Sequence, residues 1–216
     1  MLSVSDIMTS NVITIPSDTP MFESEKIMEF HKIERLPIVD KGKLVGLVTK
    51  DNLLSARPSE GTSFSRGELY YLLARMTVKD IMVKKVVTVS PDTTAEQAAA
   101  IAQKNKVGSL PVLEDGRVVG IVTTNDFFYK ILNPLLGIGE GGKRIIIQGP
   151  GTIARMQKVL EILQKAGVEI NTIASISSMG AGEKNFVLHL DTEDATPVLK
   201  QLKEMGFIAE ERKHNI

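Results

Sequence analysis

The feature that most constrains this chain is a repeat that holds its register without a gap. Val4-Ser5-Asp6-Ile7-Met8 returns as Val78-Lys79-Asp80-Ile81-Met82, an offset of 74 residues from Met8 to Met82. At the same offset Thr14 meets Thr88, Asp18-Thr19 meets Asp92-Thr93 and Ile27 meets Ile101. Leu36-Pro37 meets Leu110-Pro111, and Gly46-Leu47-Val48-Thr49 meets Gly120-Ile121-Val122-Thr123. Register kept over about fifty residues marks a duplicated structural unit.

Each copy reads as β-α-β-β-α. Val12-Ile13-Thr14-Ile15 and Val86-Val87-Thr88-Val89 are β-branched runs that predict short strands. Thr19-Pro20 and Thr93-Thr94 predict helix N-caps, with Pro20 at the first helical position and a Thr93–Glu96 capping box. The helices run to about Phe30 and Lys104. Leu36-Pro37-Ile38-Val39 predicts a strand, and Asp40-Lys41-Gly42-Lys43 a turn whose equivalent is Glu114-Asp115-Gly116-Arg117. The paired strand follows, and Thr49 or Thr123 opens another helix. A unit near fifty residues is small for an independent core, so the copies are expected to pack sheet against sheet.

Between the copies, residues 55–63 predict a loop, and Leu69, Leu72, Leu73 and Met76 fall at helical spacing. That helix covers the sheet or presents a partner surface. After Asn133-Pro134 come Gly137, Gly139, Gly141 and Gly142, a flexible boundary. The remainder reads as a strand at Arg144–Gln148, a Gly149-Pro150-Gly151 turn, and a helix with Ile153, Met156, Leu160 and Leu163 on one face. Gly167 stops that helix. A strand from Val168 to Ser177, a hairpin loop at Met179–Gly182, a strand with Phe186, Leu188 and Leu190 on one face, a helix from Thr192 to Met205 and a last strand from Phe207 to Arg212 complete it. The order βαββαβ is ferredoxin-like. The expected domains are therefore 1–58, a linker with connecting helix at 59–76, 77–135, a glycine linker at 136–142, and 143–216. The fold class is mixed α+β.

Composition removes several kinds of chemistry. The chain has no Cys, so disulfides, thiolate metal sites and a Cys nucleophile are excluded. Its three His (His31, His189 and His214) are far apart in sequence, and no metal site is expected. No nucleophile–base pair or P-loop is visible, and the 137–142 glycines lack the strand-turn-helix context of a dinucleotide fingerprint. Lys plus Arg equal Asp plus Glu at 26 each, with basic residues dispersed, so nucleic acid is not the expected partner. No apolar run approaches the roughly 18 residues of a membrane span, and the N-terminus does not read as a signal peptide. A cytoplasmic protein that is not an enzyme is expected.

The order Asp-Ile-Met, then a Leu-Pro-Val-like strand, then Gly-[Leu/Ile]-Val-Thr before a helix resembles the cystathionine-β-synthase (CBS) domain. Two in tandem, over roughly 1–55 and 75–132, resemble the CBS pair, or Bateman module. Gln148-Gly149-Pro150-Gly151-Thr152-Ile153 followed by Ala166-Gly167-Val168-Glu169-Ile170 resembles the ACT domain over roughly 143–213. A CBS pair followed by an ACT domain, together with Ser65-Arg66-Gly67-Glu68-Leu69-Tyr70-Tyr71-Leu72, resembles the acetoin-utilisation accessory (AcuB-like) family.

The resemblance implies a ligand and its walls. In CBS pairs adenosine compounds lie in clefts between the copies, and the Thr of Gly-Ile-Val-Thr-x-x-Asp touches phosphate while the Asp takes the ribose hydroxyls. Gly120-Ile121-Val122-Thr123-Thr124-Asn125-Asp126 fits that pattern. A helix N-terminus favours phosphate, and a carboxylate accepts two vicinal hydroxyls. The implied residues of this cleft are Thr123, Asn125 and Asp126 with Met8, Val12, Ile13, Glu34, Arg35 and Ser109. Thr123-x-x-Asp126 is equally a capping-box pattern that needs no ligand. Copy one has Thr49-Lys50-Asp51-Asn52, so Asn stands at the ribose position. The weaker cleft implied there comprises Thr49, Asp51, Asn52, Met82, Val86, Val87 and Gly108. Arg35 is read as a phosphate-binding base or a solvated charge. For the ACT-like part the implied effector residues are Gln148, Gly149, Gly151, Glu169 and Asn171.

The expected function is a regulatory sensor of AMP, ADP, ATP or an S-adenosyl compound, needing no cofactor. A homodimer is expected, linked to acetoin or carbon metabolism through an unidentified metabolic enzyme, with neither nucleic acid nor membrane as partner. The alternative is an interaction scaffold with degenerate clefts.

Overall fold

The structure is a computed structural model that describes residues 2–56, 75–139, 141–149, 152–177 and 184–212. The expected connecting-helix residues Leu69, Leu72 and Leu73, the turn residues Pro150 and Gly151, the loop at 179–182 and His214 lie outside the described residues. The chain divides into two compact units, Met1–Phe127 and Phe128–Ile216. The division falls inside the helical run 124–136, ahead of the glycine segment.

In the first unit each copy builds the same hairpin. Strands β1 (Arg35–Asp40) and β2 (Lys43–Thr49) pair antiparallel, as do β3 (Ser109–Glu114) and β4 (Arg117–Thr123). Both turns are two-residue loops with positive φ at both positions, 50° and 78° at Lys41-Gly42 and 49° and 75° at Asp115-Gly116. That geometry matches the twist of the flanking strands. Both hairpins carry a register shift at the same place, Ile38/Val39 and Val112/Leu113. The helices Met21–His31 and Ala95–Asn105 end alike on a left-handed lysine, Lys32 and Lys106.

The N-terminal segments are exchanged between the copies. Val4 N–H donates to Thr93 O at 2.8 Å, and Thr9 exchanges two backbone bonds with Ile121 at 2.9 and 3.1 Å. Symmetrically, Val78 N–H donates to Thr19 O at 2.9 Å, and Val83 exchanges two bonds with Leu47 at 2.9 and 3.0 Å. Val78 is fully buried among Ile15, Met21, Leu36, Ile38 and Val48 of copy one. Each copy therefore completes the other's core, which is how two fifty-residue units become stable together.

Several local expectations are corrected. Val12–Ile15 and Val86–Val89 are not strands; each contributes one bridge, Ile15 to Ile38 and Val89 to Val112. Pro20 is the N-cap rather than the first helical residue. The second cap is Thr94, which accepts from Gln97 N–H at 3.2 Å, while Thr93 Oγ1 accepts from Ser90 N–H at 3.1 Å. Two adjacent threonines compete for one cap, and the one nearer the first turn takes it.

The exchange leaves two close approaches. The side chain of Met8 lies against Gly120, and that of Met82 against Gly46, so a methyl at either glycine would overlap the thioether. At Gly46 it would also stand 3.2 Å from the Val83 carbonyl oxygen, which cannot swing away. Gly120→Ala and Gly46→Ala should each cost about 1–3 kcal/mol by overpacking, Gly46→Ala more. Urea midpoints measure both; an unchanged midpoint for Gly46→Ala would contradict the exchanged packing.

The exchanged helices Val4–Ile7 and Val78–Ile81 carry matching caps. Ser3 N–H and Oγ donate to Asp6 Oδ2, both at 2.7 Å, and Thr77 N–H and Oγ1 donate to Asp80 Oδ2 at 2.9 and 3.0 Å. Those backbone bonds first, and the hydroxyls second, hold both carboxyls below the usual carboxylate range. A depressed folded value adds stability that is present above the ordinary pKa near 3.9 and lost as pH falls through the lower folded value. Urea midpoints should drop below about pH 4, and the Asp6→Asn, Asp80→Asn double variant should flatten that drop.

The second unit runs β5 (Lys143–Gln148), helix Ile153–Ala166, β6 (Glu169–Ser177), β7 (Lys184–Asp191), helix Thr196–Glu204 and β8 (Ile208–Arg212). The antiparallel sheet has the order β6-β7-β5-β8, a ferredoxin-like arrangement. Its core is Ile145, Ile147, Val159, Leu163, Leu188, Leu190, Val198, Leu202, Phe207 and Ala209. The helix after β5 turns Val159, Ile162 and Leu163 inward, leaving Ile153 82% exposed and Leu160 exposed. The face expected from periodicity is thus rotated by about one residue position, because this helix has two apolar stripes and packing selects one. The last helix is shorter than expected: Thr192 to Ala195 form a turn, with Thr196 N–H donating to Asp194 Oδ1 at 2.9 Å. His189 is fully buried, with Nε2 2.8 Å from Gly141 O.

Candidate functional site

Two clefts flank the pseudo-twofold that relates the copies. One, about 270 Å³, is walled by Thr49, Lys50 and Asp51 at the end of β2, by Val83, Lys85, Val86 and Val87 of the exchanged segment, and by Val107, Gly108 and Ser109. The other, about 390 Å³, is walled by Thr123, Asn125 and Asp126 after β4, by Thr9 of the other exchanged segment, and by Lys32 and Ile33. Glu34 and Arg35 line both. These volumes lie around the lower end of small-molecule sites, which span about 300–1,000 Å³.

The backbone explains why these residues converge. Arg35 pairs in register with Thr49, and Ser109 with Thr123. Lys50 N–H donates to Glu34 O at 2.9 Å, and Thr124 N–H to Gly108 O at 3.1 Å. The residue before each hairpin is thereby tied to the helix that follows it. The Thr9–Ile121 and Val83–Leu47 bridges then bring the exchanged segments alongside.

The caps form in both copies. Thr123 N–H and Oγ1 donate to Asp126 Oδ2 at 2.8 and 2.7 Å, and Asp126 N–H donates to Thr123 Oγ1 at 3.4 Å. Thr49 N–H and Oγ1 donate to Asn52 Oδ1, both at 2.9 Å, and Asn52 N–H donates to Thr49 Oγ1 at 3.2 Å. Asp126 is 9% exposed, on the cleft wall. The helix opened after Thr49 is short, Lys50–Ser55, whereas Thr124–Phe127 is the first stretch of the helical run 124–136. Charged side chains also line both clefts. The Thr49 cleft has Arg35, Lys50 and Lys85 against Glu34 and Asp51; the Thr123 cleft has Lys32 and Arg35 against Glu34 and Asp126.

The structure brings together Thr123, Asn125, Asp126, Glu34 and Arg35 as expected for one cleft, and Thr49, Asp51, Val86, Val87 and Gly108 for the other. Six of the expected residues stand elsewhere. Ser109 lines the Thr49 cleft rather than the Thr123 cleft. Met8 and Met82 pack on Gly120 and Gly46 rather than line a cleft. Ile13 packs against the copy-one core. Val12 is half-buried and, like Asn52, is not among the lining residues. Thr9, Lys32, Lys50, Val83 and Lys85 were not anticipated; Thr9 and Val83 are mates at the repeat offset, one in each cleft.

In the second unit Gln148 and Gly149 lie at the end of β5, with Gly149 N–H donating to Asn185 Oδ1 at 3.4 Å. Glu169 pairs with Asp191 at the opposite end of the sheet, while Ser175 and Ile147 both pair with Phe186. About six residues, roughly 20 Å at 3.3 Å each, separate the two sets, so one chain does not bring Gln148 and Glu169 together. Asn171 is exposed at a register shift between Ile170 and Thr172. No helix among the described residues is long and apolar enough to cross a membrane. Among the same residues no group of three or more His, Asp or Glu is arranged to hold a metal ion.

Comparison with known proteins fits this geometry. The model of the CBS domain matches residues 4–59 and 78–133, more than half of the chain. An inosine-5'-monophosphate dehydrogenase of Korarchaeum cryptofilum is 32% identical over 62% of this chain and 25% of its own length. An L-aspartate semialdehyde sulfurtransferase of Methanocaldococcus jannaschii is 34% identical over 57% of this chain and 22% of its own length. The chain thus spans about a quarter of the curated relatives named here. Among solved structures, a Vibrio cholerae protein named for acetoin utilization (AcuB) is 30% identical, with a TM-score of 0.52 over 62% of this chain and 92% of that one. CBSX2 in complex with AMP is 27% identical, with a TM-score of 0.52 over 62% of this chain and 98% of that one. The chain belongs to the CBS-domain family, carrying the domain twice in tandem.

Proposed function

We propose that the chain is a non-catalytic regulatory protein whose two clefts take adenosine-type ligands, AMP, ADP, ATP or an S-adenosyl compound. The observation that carries this reading is the Thr123 cleft: Thr123, Asp126 and Arg35 share one wall. Asp126 offers a carboxylate for ribose hydroxyls, and Arg35 with Lys32 offers cations for phosphate. A ligand that binds one arrangement of the chain more tightly than another shifts the balance between them, which is what makes a sensor. AMP bound to CBSX2 supports the ligand class. Thermal unfolding with AMP, ADP, ATP, NAD and S-adenosylmethionine tests it. A ligand at a hundred times its Kd stabilises by about 2.7 kcal/mol, and no shift with any of them sinks the reading.

The second unit is read as an ACT-type module that oligomerises the chain or takes a second effector. Its ferredoxin-like sheet and the exposed Ile176 and Ile208 support this. Because Gln148 and Glu169 stand apart, an effector touching both would need a second copy to bring them together. A homodimer on gel filtration is the expected result, and a monomer contradicts it. If an amino acid binds with an affinity that Gly149→Ala leaves unchanged, the Pro-Gly turn is not its site. The link to acetoin or carbon metabolism, through an enzyme partner in the cytoplasm, rests on the AcuB likeness.

One observation favours a scaffold with empty clefts instead. Both caps are made by the chain's own groups, so Thr123 and Asp126 have a structural use of their own. The thermal panel separates the two readings.

A further inference from the structure

The pseudo-twofold is broken at one place that both clefts share. At the repeat offset Glu34-Arg35 becomes Gly108-Ser109. Arg35 opens β1, and its guanidinium reaches to the other copy: a Cβ on Gly108 would stand 3.0 Å from Arg35 Nη2. Gly108 is therefore the space into which the arginine extends, and a side chain there would crowd it. The mate of Arg35, Ser109, is buried and lines only the Thr49 cleft. Arg35 thus lines two clefts, its side chain 27% exposed, with Glu34 Oε2 at 3.9 Å from Nη1. Glu34 is itself mostly exposed, so this pair holds the arginine only weakly. The lysines are not shared: Lys50 and Lys85 serve one cleft and Lys32 the other.

Building on the nucleotide reading above, we infer that Arg35 is a single phosphate clamp shared by the two clefts, so that they compete for phosphorylated adenosine ligands but not for uncharged ones. A guanidinium fork matches one phosphate in a bidentate pair. Turned toward a phosphate on one side, it is withdrawn from the other. A second phosphate then meets a like charge across the shared wall instead of a clamp. An uncharged nucleoside uses neither effect. The coupling is reciprocal, because each ligand weakens the other by the same factor. Lys50 and Lys85 direct the first phosphorylated ligand to the Thr49 cleft, and the Thr123 cleft with Asp126 is left for a nucleoside with little or no negative charge.

Isothermal titration of the full chain with AMP and with adenosine tests this, using variants that fill one cleft at a time. Thr9→Trp fills the Thr123 cleft, and Val83→Trp fills the Thr49 cleft; both positions are exposed. With either cleft filled, AMP should bind the remaining one, and adding Arg35→Ser should weaken it about tenfold in both variants. In the parent chain the second AMP should bind about tenfold or more weaker than the same cleft binds it when the other is filled. Adenosine should show two steps that change less than twofold with Arg35→Ser, which also confirms that the variant is folded. Weakening of AMP in only one of the filled variants overturns the shared clamp. So do parent affinities equal to those of the two filled variants, or equal loss of adenosine. Heat with neither AMP nor adenosine overturns the nucleotide reading and this inference with it, whereas two independent AMP sites overturn only the inference.

Discussion

Asp126→Ala should weaken adenosine binding at the Thr123 cleft by between about tenfold and a hundredfold. A hydrogen bond to a charged group contributes about 1.5–3 kcal/mol, and each 1.4 kcal/mol is tenfold in affinity. The same substitution removes the cap, because Asp126 Oδ2 accepts from both Thr123 N–H and Oγ1. A stability loss of about 1 kcal/mol is therefore expected alongside, and Ala alone does not separate the two roles. Asp126→Asn separates them. Copy one shows that Asn makes the same cap, since Asn52 Oδ1 accepts from Thr49 N–H and Oγ1 at 2.9 Å. Asp126→Asn should leave stability within about 0.5 kcal/mol while still lowering adenosine affinity several-fold. Unchanged affinity in both variants, measured by calorimetry, would reduce Asp126 to a helix cap.

Leu188→Ala should cost the second unit about 2–5 kcal/mol. Leu188 is fully buried on β7 and pairs with Ile145 on one side and Ile173 on the other. Truncation there loses transfer energy and leaves a cavity between strand and helices. Whole domains are stable by only about 5–15 kcal/mol, so the loss is a large fraction. In a unit of this size 1 kcal/mol moves the midpoint about 4–8 °C, so scanning calorimetry should show a fall of roughly 10 °C or more. The stabilisation by AMP proposed for the other unit should persist. A fall of under 2 °C would contradict the core described for the sheet.

The doubled architecture was legible because register over about fifty residues is a geometric constraint. Turns, hairpins and the helix after Thr49 followed from Gly, Asp and β-branched residues whose backbone preferences are strong. The exchange of N-terminal segments was not legible. Val4, Ile7 and Met8 match Val78, Ile81 and Met82 in type, so the pattern does not say whose core each set fills. Ser109 reads with Thr123, its register partner, yet lines the other cleft, and Met8, expected beside Asp126, packs on Gly120 of that same copy. Lys32, Lys50 and Lys85 were missed for another reason: a lysine at a helix end or in a connecting segment reads as solvated until folding places it on a cleft wall. Arg35 was singled out, but its reach to Gly108 depends on the missing side chain of a residue 73 positions away. In the second unit, two apolar stripes on Ile153–Ala166 were equally good candidates for the core. Only the sheet beneath chooses Val159, Ile162 and Leu163 over Ile153 and Leu160.

The central claim is that the clefts on either side of Arg35 hold the adenosine moiety. A crystal structure of the chain grown with saturating AMP tests it directly. A nucleotide is expected between the two copies, its phosphate near Arg35 and its ribose hydroxyls against the wall that ends in Thr49–Asn52 or Thr123–Asp126. AMP elsewhere on the chain, or both clefts holding only water at saturation, would contradict it.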